Sequence, residues 1–122
     1  MYKKMVCNGM FYTETWYEKR LANMPYASAG IITGKNPAVT MLKSYCTFVL
    51  CLDQNGWLQC TGIYSRTTIR HISAFLKEYT PGIYYYDVKK IAGKGIAINI
   101  HTRETMECTG MPDIYGFYTI AA

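Results

Sequence analysis

Histidine occurs only twice in the chain, as His71 and His101, and the five cysteines (Cys7, Cys46, Cys51, Cys60 and Cys108) include no CxxC pair. A zinc cluster would have to gather its ligands from distant parts of the chain, so neither a metal nor a cofactor is expected, and the cysteines read as small buried hydrophobes. Long apolar runs are also missing. The longest is Phe48 to Leu52, far short of the ~18 residues that a membrane helix needs. After Lys3 and Lys4 only Met5, Val6 and Cys7 precede Asn8-Gly9, too few for the apolar part of a signal peptide. The expectation is a soluble, cytoplasmic chain with no membrane partner and with reduced thiols. Charge is sparse, at 17% of residues, but half of the chain is apolar, which excludes intrinsic disorder. At 122 residues there is room for one domain, 1–122, and no second.

Tyrosine is what the chain has in excess, with 12 against 4 Phe and 2 Trp. Asn8-Gly9 reads as the turn of a first hairpin, with Phe11 to Glu18 as its β-prone return strand. Residues 21 to 40 hold two Pro and two Gly with no sustained period, and read as a long connection.

Lys43 to Asp53 and Trp57 to Tyr64 are β-prone runs on either side of Gln54-Asn55-Gly56, which makes a second hairpin. Its register follows from the side chains. A two-residue Asn55-Gly56 loop would set Cys51 opposite Cys60 and mix polar with apolar residues on each face. A type I turn from Asp53 to Gly56, closed by a bulge, instead pairs Leu52 with Leu58 and Leu50 with Cys60. That register collects Cys46, Phe48, Leu50, Leu52, Leu58, Cys60 and Tyr64 on one face, and sends Cys51 and Cys60 to opposite faces.

Ser65 is a good N-cap and Thr80-Pro81-Gly82 a good stop, so 66–79 is the main helix. Ile69, Ile72, Phe75, Leu76 and Tyr79 fall within an arc of roughly 120° and should pack on the hairpin. Arg66, Arg70, Ser73 and Lys77 form the opposite stripe. Tyr84 to Ala92 reads as a short second helix, although three consecutive tyrosines suit a strand equally. Ile96, Ile98 and Ile100 alternate with less apolar residues, as in a half-buried strand. Met106 to Thr109 and Ile114 to Ile120 follow as further β segments separated by turns. The fold class is α+β: an antiparallel sheet built of hairpins, with the helices on one face.

Catalytic constellations are weak. His71 falls at the edge of the apolar arc near Glu78, with no convergent nucleophile, and reads as a surface histidine; His101 reads as a solvated turn residue. The eight acids are scattered. Gly30 to Lys35 lacks both the spacing of a P-loop and the Ser or Thr after its lysine. The chain is read as no enzyme. A binding surface has more support. Between Arg66 and Lys94, six cations face only Glu78 and Asp87, which places four of the five net positive charges in 29 residues. Tyr79, Tyr84, Tyr85 and Tyr86 share that region, so cations and stackable rings lie together. The candidate binding residues are Arg66, Arg70, Lys77, Tyr84, Tyr85, Lys89, Lys90 and Lys94. The plainer reading is a solvated helix face and strand-forming tyrosines.

The strand-turn-strand run that leads into Tyr64 to Tyr79, of pattern YSxTTxRHIxxFLKEY, resembles a family of small uncharacterised proteins encoded by phages and mobile elements of gut Firmicutes. The likeness covers about a third of the chain. It implies origin rather than activity: a phage or mobile-element accessory protein, acting in the cytoplasm of an infected bacterial host on a host protein or ribonucleoprotein complex. Inhibitors of CRISPR effectors are one such class. Many of those are acidic mimics of DNA, and the net charge of +5 argues against that route here. A nucleic-acid-binding accessory protein is the alternative.

Overall fold

The structure, a computed structural model, describes residues 3–6, 15–20, 29–35 and 38–120. Eight strands form one sheet in chain order, each antiparallel to the next: β1 (Lys3–Val6), β2 (Thr15–Arg20), β3 (Ala29–Lys35), β4 (Ala38–Ser44), β5 (Thr47–Asp53), β6 (Trp57–Cys60), β7 (Ile96–Asn99) and β8 (Thr105–Glu107). Two helices, α1 (Arg66–Tyr79) and α2 (Tyr85–Ile91), are inserted between the paired strands β6 and β7. Both lie on one face, α1 over β4 and α2 over β6 and β7. This is the expected α+β architecture.

The central hairpin has the register that the sequence predicts: Leu50 opposite Cys60, Cys51 opposite Gln59, Leu52 opposite Leu58. The turn closes through the Gly56 N–H on the Asp53 carbonyl at 3.2 Å, with Gly56 at φ +89°. The Asp53 carboxylate accepts from the N–H groups of Asn55 and Trp57, both at 2.9 Å. Cys51 and Cys60 fall in separate apolar clusters on opposite faces of the sheet.

Several expectations are corrected. The segment 21–40 is not a long connection. Its second half holds β3 and the start of β4, paired from Ala29 with Ser44 to Lys35 with Ala38, while 21–28 and 36–37 lie outside the described residues. No period shows there because both faces are buried: Ile31 and Leu42 join the helix-side cluster, Ile32 and Met41 the opposite one. The run Lys43 to Asp53 is not one strand either. The chain turns back at Tyr45-Cys46, with Tyr45 at φ +55°, and Ser44 pairs with Thr47. The register then shifts beside Leu42, leaving Val49 and Leu50 together in the helix-side cluster and Phe48 against the other. The expected single face of Cys46, Phe48, Leu50, Leu52, Leu58, Cys60 and Tyr64 is thus split, with Cys46 and Tyr64 exposed.

The first hairpin is present, with β1 paired to β2 from Lys3 with Glu18 to Val6 with Thr15, while its expected turn, Asn8-Gly9, lies outside the described residues. Finally, Ile114 to Ile120 form no strand. The segment crosses the face opposite the helices, where Phe117 is buried among Ile32, Val39, Met41 and Cys51. The Asp113 carboxylate accepts from the N–H groups of Tyr115 and Phe117, and the Gln59 side-chain amide both donates to and accepts from the Tyr118 backbone at 2.8 Å. With that face covered, Ala97 is as buried as Ile98, so β7 is buried on both sides rather than half-buried.

Candidate binding surface

The helical layer is anchored from below. Ile72, Phe75 and Leu76 of α1, and Val88 and Ile91 of α2, enter the cluster formed by Ile31, Leu42, Leu50, Leu58 and Ile98 of the sheet. Thr68 and His71 are buried as well, so the inward arc of α1 is turned from the predicted one, with Ile69 only half-buried. Ser65 caps α1 by accepting from the Thr68 N–H at 3.2 Å. This orientation leaves Arg66, Arg70, Ser73 and Lys77 exposed along the outer side, as the spacing predicts.

Between α1 and α2 the chain runs through Thr80, Pro81 and Gly82, the last at φ +96°, to Ile83, which is buried in the core. α2 begins where the Tyr84 N–H donates to the Asp87 carboxylate at 3.0 Å. That carboxylate is itself buried and pairs at 2.9 Å with the Arg103 guanidinium, which also donates to the Gly82 carbonyl. Arg103, from the turn between β7 and β8, therefore ties the loop between the helices to the start of α2.

The result is an open groove of about 660 Å³ lined by Ser73, Leu76, Lys77, Pro81, Ile83 and the three tyrosines Tyr84, Tyr85 and Tyr86, together with Gly82. Its walls are mainly apolar, and among the described residues Lys77 is the one charged lining residue. Tyr84 and Tyr86 are 67% and 64% exposed, whereas Tyr85 is half-buried against the core. The Lys90 ammonium sits 4.2 Å from the centre of the Tyr86 ring, a close cation–π contact.

Of the predicted binding residues, the fold brings Lys77, Tyr84 and Tyr85 into this groove and sets Lys90 at its margin through Tyr86. Arg66 and Arg70 continue the exposed stripe along α1, with Arg66 about 16 Å up the axis from Lys77 at 1.5 Å per residue. Lys89 and Lys94 are exposed but do not line the groove. Sequence reasoning passed over Leu76, Pro81 and Ile83 as walls, because an apolar residue at a helix end or in a loop signals core equally well. Arg103 carried no local signal, since its partner lies 16 positions away.

One polar constellation was misread. His71 is fully buried rather than at the surface, and its Nδ1 lies 2.7 Å from the Ser44 hydroxyl, itself buried. Its Nε2 is buried with no hydrogen-bond partner among the described residues. Burial, then the nearby Arg70 charge, hold the imidazole pKa below its ordinary value. A serine beside a histidine has the elements of a nucleophile and base, but here both are shielded from solvent and the contact fastens α1 to the end of β4. His101 is exposed in its turn, as expected. Among the described residues, no three His, Cys, Asp or Glu side chains are grouped to hold a metal ion, and no helix is long and apolar enough to cross a membrane.

In comparisons with known proteins, a model described as a family of unknown function (DUF8033) matches residues 13–91. That span takes in both helices and the whole groove, and stops before β7, β8 and the segment that carries Phe117. No curated protein and no solved structure matches the chain.

Proposed function

Because the chain belongs to the DUF8033 family, a membership that assigns no activity, we propose that it is a non-enzymatic accessory protein which binds a macromolecular target through the outer side of its helical layer. The observation that carries this reading is the groove at the junction of the helices. Lys77 and three tyrosines converge there beside the Arg66–Arg70 stripe, while the nearby Asp87 is buried and already paired with Arg103. Exposed tyrosines offer large rigid contact area at small entropic cost, and arginines at an interface add directional polar contacts.

The likeness of Tyr64 to Tyr79 to phage and mobile-element proteins extends the proposal to origin and target. That segment holds the N-cap and all of α1. On this reading the target is a host protein or ribonucleoprotein complex in the cytoplasm of an infected bacterium, an anti-CRISPR type of inhibition being one form. The test is a pull-down from host lysate with the wild-type chain and with an Arg66→Ala, Arg70→Ala, Lys77→Ala variant. The expected result is a specific protein retained by the first and lost by the second; recovery of none, with or without nucleic acid, counts against the proposal.

A second reading, nucleic-acid binding, is favoured by the stripe alone, since exposed cations along a helix can follow a phosphate backbone. It predicts affinity for single-stranded or duplex DNA or RNA that falls steeply with salt, with a slope that flattens in the same triple variant. Absence of binding at low salt removes it.

A further inference from the structure

We propose that the groove between α1 and α2 is a socket for one apolar or aromatic side chain carried on an acidic segment of a partner protein. The inference rests on the binding reading above and specifies the partner's chemistry. Two features of the groove point to this occupant. The first is its lining: Leu76, Pro81, Ile83 and the faces of Tyr84, Tyr85 and Tyr86 present mainly carbon, in a volume of about 660 Å³ that is ample for a large side chain and its flanking backbone. The second is the sign of its charges. Lys77 is the charged residue of the lining, and Lys90 stands over the outer ring, Tyr86, at 4.2 Å. The carboxylate nearest the tyrosines, Asp87, is turned inward, where it holds the Tyr84 N–H and the Arg103 guanidinium. An approaching segment therefore meets a carbon-lined socket whose flanking charges are positive. Carboxylates on either side of the inserted side chain would find Lys77 and the Arg70 end of the stripe.

A single strand of nucleic acid fits less well. Strand-binding grooves combine stacking rings with a row of cations that track the backbone, and here only one cation among the described residues lines the groove while Lys90 is engaged with a ring. The fixed geometry of the site also suits insertion of an anchor. Ile83 and Leu76 are buried in the core, and Arg103 ties Gly82 to Asp87, so little ordering remains to be done when the groove fills.

The experiment is selection of a random 12-residue peptide display library on the whole protein, followed by affinity measurement of the enriched peptides by fluorescence anisotropy. Variants Lys77→Glu, Tyr84→Ala and Tyr86→Ala, all at exposed positions, are included together with a labelled 20-mer of deoxythymidine. Thermal melts confirm that each variant stays folded. The expected result is a set of net-negative peptides sharing one apolar or aromatic position, which bind each variant at least tenfold more weakly and lose as much when that position is changed to Ser. The proposal is overturned if nothing is enriched, if the peptides lack either the acidic bias or the shared apolar position, or if the folded variants bind them as tightly as the wild type. Binding of the deoxythymidine strand that depends on Tyr84 and Tyr86, without such peptides, overturns it in favour of a nucleic-acid surface. The broader reading fails separately, on the Arg66, Arg70, Lys77 pull-down.

Discussion

At the scale of single residues, His71 carries the sharpest consequence. Buried, and joined to Ser44 through Nδ1, it has no acceptor among the described residues for a proton on Nε2 and a cation, Arg70, nearby. Its pKa in the fold is therefore below the value of about 6.5 that it has when unfolded. Between those two values the unfolded chain binds a proton that the folded chain does not, so stability rises with pH. The contribution is fully present above about pH 6.5 and is lost as pH falls toward the folded value. Urea unfolding of wild type and His71→Gln over pH 4.5 to 8 should show a decline below neutrality that is shallower in the variant; equal slopes would assign the decline to other groups. Ser44→Ala, which leaves both ring nitrogens unpartnered in a buried site, should cost about 1–3 kcal/mol in the same assay at pH 7.5. The burial of His71 was hidden from the helical wheel because the wheel ranks residues by polarity, and a histidine with one good hydrogen bond can be core.

At the scale of elements, turn chemistry made the β5–β6 hairpin readable, because a register slip would have scattered its apolar residues. Gly56 shows how firmly that turn is set. A Cβ there would lie 2.6 Å from the His101 ring, and the backbone is left-handed. Gly56→Ala should therefore destabilise the protein by at least about 1 kcal/mol, the ordinary cost of a side chain in that region, as read by a lower denaturant midpoint. An unchanged midpoint would mean that the turn relaxes. The β4–β5 turn escaped notice for the opposite reason. Tyr45-Cys46 has no glycine, asparagine or proline, and a tyrosine at φ +55° goes against its usual preference. Only the pairing of Ile31, Leu42 and Leu50 across three strands makes that reversal worth its strain. The main helix α1 was legible, since a cap, a stop and an apolar arc agreed, and α2 less so, because its three consecutive tyrosines suit a strand equally; their mutual placement depends on Ile83 and Arg103, neither of which has a periodic signature.

At the scale of the whole molecule, the middle of the sheet, from β3 to β7, is buried on two sides by unlike covers, helices on one and an irregular segment on the other. Phe117 is the centre of the second cover, packed with Cys51, whose thiol is pushed well above its usual range by burial first and by Asp113 and Asp53 next. Phe117→Ala should cost about 3–5 kcal/mol, as large aromatic truncations do. It should also speed labelling of Cys51 by a thiol reagent under native conditions, with Cys60, on the other face and with its own pKa raised to about 11, left slow. Mass spectrometry of the labelled chain separates the two sites. If Cys51 stays as protected as in the wild type, the segment 113–118 is not what shields it. The same double cover explains why the two-sided strands β3 and β4 show no clean alternation, and why the stretch that they occupy within 21–40 resembles a loop: residues that face apolar surroundings on both sides carry no period to read.

The sequence by itself determined the fold class, the β5–β6 register, the main helix and the exposed basic stripe, because each depends on contacts within a few residues or on a repeat that one buried face imposes. Only the tertiary structure decided which cations meet which rings, that Asp87 is withdrawn from the surface by Arg103, and that Phe117 closes the second face. Those outcomes come from residues distant in the chain, where the geometry of packing, and no local preference, selects the partner.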